Sequence, residues 1–269
     1  QSLTNFKKSA VLYPSLLAKL ACPACHGKLV PSSENLQCDI CERSFPLESG
    51  FPSLIPDREV ASFTSTLQLS VLILAKNEGQ NLHRALSQLL PVLEDLGASH
   101  EILVMDGHST DNTVVVAQEF GARVATQEKP GYGNAFREGL RLCKGEFVFT
   151  FDADGSHDPG FLRVFWPQRE TGELLIGSRY ISRGEAWMPF YRLLLSRILN
   201  RVMSTTLSIP IKDLSSGFRL YRRSSVLALD LKGKNFDVLI EILVKMYLEG
   251  HRIRELPFLF KPREDGSSN

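Results

Sequence analysis

Between Ser70 and Phe151 short apolar runs alternate with longer amphipathic stretches. Val71-Leu72-Ile73-Leu74 has strand length, and Asn77-Glu78-Gly79 leads from it into a helix that runs through Leu96. Glu101–Met105 reads as a second strand ending at Asp106-Gly107, and Asp111 is placed to cap a helix that stops near Gly121. Residues 122–126 make a third strand and 133–144 a helix. Glu146–Phe151 is a fourth strand, apolar enough that both of its faces should be covered. Strands alternating with helices predict an α/β domain with a mostly parallel sheet, in which ligands sit beyond the carboxyl ends of the strands. Asn77-Glu78, Asp106-Gly107 and Asp152-Ala153-Asp154 all fall at such ends, so the pattern converges on one crevice.

The pattern is different before residue 57, where Pro23, Gly27, Pro31, Pro46, Gly50, Pro52 and Pro56 crowd a short segment with turn formers. We therefore expect a small domain at 1–57, a connection at 58–69 and the α/β domain at 70–269. Cys22-Pro23-Ala24-Cys25 and Cys38-Asp39-Ile40-Cys41 are paired Cys-x-x-Cys knuckles with twelve residues between them. Four thiolates on two tight turns suit a tetrahedral zinc ion, with two disulfides or redox-active dithiols as the competing reading. So short a segment has little core, and a structural Zn2+ at Cys22, Cys25, Cys38 and Cys41 would supply much of its folding energy. The fifth cysteine, Cys143, sits in a helical apolar pattern and is expected to be a small packed residue.

Composition narrows the function classes. Hydrophobic residues make up 43% and charged residues 23% of the 269, ordinary values for a globular protein. A net charge of +1 argues against bulk electrostatic binding of nucleic acid. No stretch reaches the roughly 18–20 apolar residues that would cross a bilayer, and the first twenty residues do not read as an export signal. These features lead to the expectation of an intracellular protein.

Asp152 and Asp154 are two residues apart, so on an extended segment their carboxylates point the same way. Such a pair suits a hard divalent cation, Mg2+ or Mn2+, that keeps positions open for substrate phosphates; a solvated acidic turn is the plainer alternative.

The order and spacing of several motifs decide between these readings. Val71 to Glu78, Val104 to Asp111 (Val-Met-Asp-Gly-His-Ser-Thr-Asp) and Asp152-Ala153-Asp154-Gly155 resemble family 2 glycosyltransferases of the GT-A fold. Gly131-Tyr132-Gly133-Asn134-Ala135, Ile176-Gly177-Ser178-Arg179-Tyr180 and Asp213-Leu214-Ser215-Ser216-Gly217-Phe218-Arg219 are similar to dolichol-phosphate mannose synthases and related polyprenyl-phosphate glycosyltransferases. This resemblance covers residues 70 to 267. It implies a GT-A, Rossmann-like domain that transfers a sugar with inversion from a nucleotide-sugar to a polyprenyl or dolichyl phosphate. It also implies that Ala75, Asn77, Glu78 and Asp106 bind the nucleotide, and that Asp152 and Asp154 hold the cation. Arg179 would approach the donor phosphates, Arg197 and Arg219 would face the acceptor phosphate with Ser216 as a hydrogen-bond donor, and Arg263 would close over the site. Two positions depart from the pattern. Ser156 stands where a glutamine commonly adds a metal ligand and would serve there as a shorter oxygen ligand, and Tyr132 stands where the glycine-rich stretch often carries lysine. The donor implied is GDP-mannose, with UDP-glucose or UDP-N-acetylglucosamine close behind.

The chemistry agrees with this set of residues. A phosphate acceptor is already anionic and needs positioning more than a base, a task that the planar guanidinium suits. A sugar-hydroxyl acceptor would call for a base carboxylate. Asp213 and Glu241 are the available acids, and both read as structural. His157, beside the carboxylates, is a ligand or a supporting residue at even weight. Downstream, Phe190, Leu194, Ile198 and Val202 recur at helical spacing in the stretch from Trp187, with Arg192, Arg197 and Arg201 off that line. A basic amphipathic helix of this kind can lie in a membrane interface, or it can simply pack. With the resemblance, contact with a lipid-linked acceptor at the cytoplasmic face of a membrane is the expectation. The N-terminal segment, with Phe45-Pro46-Leu47 and Gly50-Phe51-Pro52, resembles the Trm112 zinc ribbons, and a structural or partner-docking role follows for it. Two other functions compete: transfer to a saccharide acceptor in cell-surface polysaccharide synthesis, and a zinc-ribbon adaptor whose second domain only binds nucleotide.

Overall fold

The computed structural model describes residues 28–32, 35–39, 44–48, 51–52 and 67–260. The chain divides into two compact units, Gln1–Thr64 and Ser65–Asn269. In the first, β1 (Leu29–Pro31), β2 (Asn35–Cys38), β3 (Ser44–Glu48) and β4 (Phe51–Pro52) form an antiparallel meander in sequence order. Leu29, Leu36 and Phe45 are buried in it. Cys22, Cys25, Cys41, Arg263 and connection residues 58–66 lie outside the described residues, as does the side chain of Cys38.

The second unit is built on a seven-stranded sheet. Its strands are β5 (Leu69–Ala75), β6 (His100–Asp106), β7 (Arg123–Thr126), β8 (Phe147–Asp152), β9 (Leu174–Ser178), β11 (Arg219–Arg222) and β12 (Ile253–Pro257). Across the sheet they run β12-β9-β11-β8-β5-β6-β7. All neighbours pair parallel except β11, which is antiparallel to both β8 and β9. The first four strands of this unit match the elements anticipated from apolar periodicity to within one or two residues.

Successive strand side chains alternate between two cores. Val71, Ile73, Val104 and Phe149 pack with Leu82, Leu86 and Leu89 of α1 (Gly79–Leu96) and with Val116 of α2 (Thr113–Glu119). Leu72, Leu103, Met105 and Val148 pack on the opposite face with Phe136 and Leu140 of α3 (Tyr132–Leu142) and Ile242 and Met246 of α7 (Asp237–Leu248). Burial of β8 on both faces accounts for its nearly all-apolar sequence. Cys143 is buried in the second core, and its thiol is pushed up to about 12, chiefly by burial. Between these elements lie a short helix α4 (Leu162–Phe165), a two-residue pairing of β10 (Glu185–Ala186) with β13 (Leu259–Phe260), the long helix α5 (Phe190–Leu207) and α6 (Arg223–Leu227).

Candidate active site

The carboxyl ends of β5 and β6 are cross-linked by their own polar residues. Asn77 adopts a left-handed backbone (φ 55°), and its side-chain Oδ1 accepts from the Thr110 N–H at 2.7 Å. The Asp111 carboxylate accepts from the N–H groups of Gly79 and Thr113, both at 3.0 Å, and so binds the start of α1 to the start of α2. Asp106, buried at the end of β6, accepts from the Ser109 N–H (3.1 Å), and Glu78 accepts from the buried Asn81 side chain (2.7 Å). The polar clusters after β5 and β6 are therefore one hydrogen-bonded rim.

That rim borders a cavity of about 480 Å³. Ala75, Glu78, Asp152 and Asp154 line it, together with Lys76, His108, Gln127, Pro130, Tyr132 and Phe236. Asn77 and Asp106 do not line it; they shape the loops that do. Gln127 and Pro130 were missed in the sequence although they follow β7, where the strand-end rule would have found them. Phe236 had no local signal at all.

The Asp-Ala-Asp turn is held from inside. Asp154 Oδ1 accepts from the Ser156 N–H (3.0 Å) and from its hydroxyl (2.6 Å), and Gly155 between them takes φ +79°. Ser156, expected to be a metal ligand, is thus a buried donor that fixes Asp154. His157 is also buried; its Nδ1 accepts from the Asp152 N–H at 3.0 Å and its ring stacks on Phe218 at 4.8 Å. Burial drives the His157 pKa down to about 4, so the ring is neutral and its proton sits on Nε2. The Asp152 carboxyl is pushed up to about 7, by burial first and by neighbouring Asp154 second. Two neighbouring carboxylates on the cavity wall repel each other, and a divalent cation would relieve that repulsion. The pair fits Mg2+ or Mn2+: two hard protein oxygens, with the remaining positions left for phosphate oxygens and water. Among the described residues no third His, Cys, Asp or Glu joins them.

The arginines divide. Arg179, just after β9, forks onto the buried Asp213 carboxylate (Nε–Oδ2 2.8 Å, Nη2–Oδ1 2.7 Å), and its Nη2 also donates to Ser215 (2.9 Å). Its Cζ lies 5.0 Å over the ring of Tyr180, while the exposed Arg197 of α5 reaches the same ring at 5.9 Å. Arg219 corrects an expectation. It is fully buried, and its guanidinium donates to the carbonyls of Ser216 (2.7 Å), Leu214 (2.8 Å) and Leu239 (2.8 Å). A group whose donors end on backbone in the core does not face an acceptor phosphate; it ties the 214–216 turn to α7. Ser216 is buried in the same turn. Glu241 accepts from the N–H groups of Lys232 and Gly233 and from Lys245, a structural part as anticipated.

Residues 70–229 match the family described as Glycosyl transferase family 2. The chain belongs to that family. Residues 14–50 match a second family, Trm112p-like protein. Among relatives, a dolichol-phosphate mannosyltransferase of Pyrococcus furiosus is 33% identical over 215 residues, 75% of this chain and 59% of that one. The chain thus spans 59% of the length of that family 2 relative. An uncharacterised glycosyltransferase of Mycobacterium bovis is 32% identical over 178 residues, 66% of this chain and 81% of the other. Among solved structures, glucosyl-3-phosphoglycerate synthase from Mycobacterium tuberculosis with phosphoglyceric acid superposes with a TM-score of 0.62 at 19% identity, over 77% of this chain and 75% of that one. The same enzyme with Mn2+, UDP and glucosyl-3-phosphoglycerate gives 0.60. With the strand order above, these likenesses establish the GT-A fold.

Proposed function

We propose that this family 2 chain transfers a sugar, with inversion, from a nucleotide-sugar to a polyprenyl or dolichyl phosphate at the cytoplasmic face of a membrane. GDP-mannose is the favoured donor. The observation that carries the reading is the chain of contacts from Arg179, at the end of β9, to α5. Arg179 lies over the ring of Tyr180; the Tyr180 hydroxyl bonds Ser196 (2.7 Å), and Arg197 covers the same ring. Asn200 secures the helix further by accepting from the Leu214 N–H at 2.8 Å. Beyond these anchors α5 is apolar and open: Phe190 is 77% exposed, and Leu194, Ile198 and Val202 are exposed beside Arg192, Arg197 and Arg201. Such a helix suits lipid tails on one side and anionic headgroups on the other. Among the described residues no helix is long and apolar enough to cross a membrane.

In this reading Ala75 and Glu78 contact the nucleoside, and Asp152 and Asp154 hold a divalent cation that, when bound, neutralises the departing diphosphate. Arg197 orients the anionic acceptor. An acceptor phosphate oxygen forms the new bond to the anomeric carbon as the bond to the diphosphate breaks, leaving a nucleoside diphosphate. Arg263 would complete the enclosure. The four N-terminal cysteines hold a structural Zn2+, and that segment serves folding or partner docking.

The deciding assay measures nucleoside diphosphate release from GDP-mannose, UDP-glucose and UDP-N-acetylglucosamine with Mn2+, with and without a polyprenyl phosphate. Release that depends on the lipid is expected. Release only with a saccharide acceptor, or none with any donor, overturns the reading.

A further inference from the structure

The glycine-rich stretch that opens α3 does more than turn the chain. Gly133 approaches a second segment so closely that a Cβ there would lie 2.4 Å from the Gly233 carbonyl oxygen, and its N–H donates to the Lys234 carbonyl at 2.9 Å. The 231–236 segment is fixed from its other side by the Glu241 carboxylate and by Arg137, which donates to the carbonyls of Leu231 (3.1 Å) and Gly233 (2.7 Å). This delivers Phe236 onto Tyr132, with ring centroids 4.3 Å apart and planes at 25°. Both rings line the carboxylate cavity, yet Phe236 is 64% exposed. An aromatic left so open makes little sense as core.

The phenol points to the reacting end. A Cβ on Gly217 would sit 3.4 Å from the Tyr132 hydroxyl and 3.7 Å from Asp152 Oδ2, so the two oxygens lie no more than about 7 Å apart. No described residue accepts a hydrogen bond from that hydroxyl. A phenol keeps its proton at neutral pH, so the hydroxyl is able to donate. Resting on the nucleotide-sugar reading above, we infer that Tyr132, clamped by Phe236, donates a hydrogen bond to the diphosphate of the bound donor, where related chains often place a lysine. Phe236 acts through Tyr132 and is a positioning residue. A neutral donor here leaves charge compensation to the Asp152–Asp154 cation, so the chain should depend on that cation strictly.

The test is calorimetric binding of UDP, GDP, UMP and GMP with Mn2+ to the full chain, to Tyr132→Phe and to Phe236→Ala. Tyr132→Phe should weaken the preferred diphosphate about tenfold, the usual scale for one hydrogen bond to a charged group, and leave the monophosphate unchanged. Phe236→Ala should reproduce that selective loss with an unaltered melting temperature. Diphosphate binding by Tyr132→Phe equal to that of the parent, or equal losses for mono- and diphosphates, overturns the inference. Absence of nucleotide binding by the parent chain overturns instead the function on which it rests.

Discussion

Arg179 and Asp213 face each other as a planar fork and a carboxylate, with Nε–Oδ2 at 2.8 Å, Nη2–Oδ1 at 2.7 Å and the Arg179 N–H on the same Oδ2 at 3.0 Å. Asp213 has no exposed surface, and Glu255 accepts from its N–H at 3.0 Å. A buried charge pair of this geometry is costly to break from one side, because the survivor stays buried without compensation. Asp213→Ala should therefore cost about 3 kcal/mol in urea unfolding. A loss below about 1 kcal/mol would mean that Arg179 simply turns to solvent.

Asp152 predicts a linkage between protons, metal and stability. Its folded pKa, about 7, lies above the ordinary 3.8, so between those values the folded chain binds more protons than the unfolded one. Without metal, this group's contribution to stability should be fully present below about pH 4 and be lost as pH rises through about 7. A divalent cation needs the carboxylate, so Mn2+ affinity should rise with pH and level off above about 7, with a proton released on binding. Asp152→Asn should abolish that slope. Titrations of Mn2+ at several pH values check it, and a flat profile for the parent chain counts against the assignment.

Arg219 is predicted to matter for folding. Arg219→Leu removes three charge-assisted hydrogen bonds to backbone carbonyls in the core, each worth about 1–3 kcal/mol. The variant should unfold at much lower denaturant. A fully stable variant with only a raised acceptor KM would restore the sequence-based role.

The exposed face of α5 makes a separate prediction. Phe190→Asp combined with Leu194→Asp should abolish flotation with vesicles containing anionic lipid while leaving nucleotide binding intact. Unchanged flotation rules out α5 as the contact.

For the N-terminal unit, metal analysis should find one zinc per chain, lost on Cys22→Ser. Zinc-free protein that keeps its folded N-terminal unit would sink the ribbon assignment.

The first half of the sheet was readable in the sequence because β5, β6 and β8 are sealed on both faces or one, and sealed strands must be apolar. The second half was less so. β11 is a four-residue strand, Arg-Leu-Tyr-Arg, that enters antiparallel between β8 and β9, and its charged ends hide its burial. Pairing partners more than forty residues distant leave no local trace.

What the sequence determined by itself was the family, the crescent of polar strand ends and the Asp152–Asp154 pair, because alternation and motif order are properties of the chain alone. It also marked α5 as amphipathic. Which charges are free to meet a ligand was decided only by tertiary structure. Arg219 and Arg197 look alike in the sequence, yet one is consumed by core carbonyls and the other stands open on α5. Ser156 became the support of Asp154, and Phe236 reached the cavity across a hundred residues of chain. Hydrogen-bond satisfaction in a buried environment is settled by neighbours in space, and the linear order does not name them.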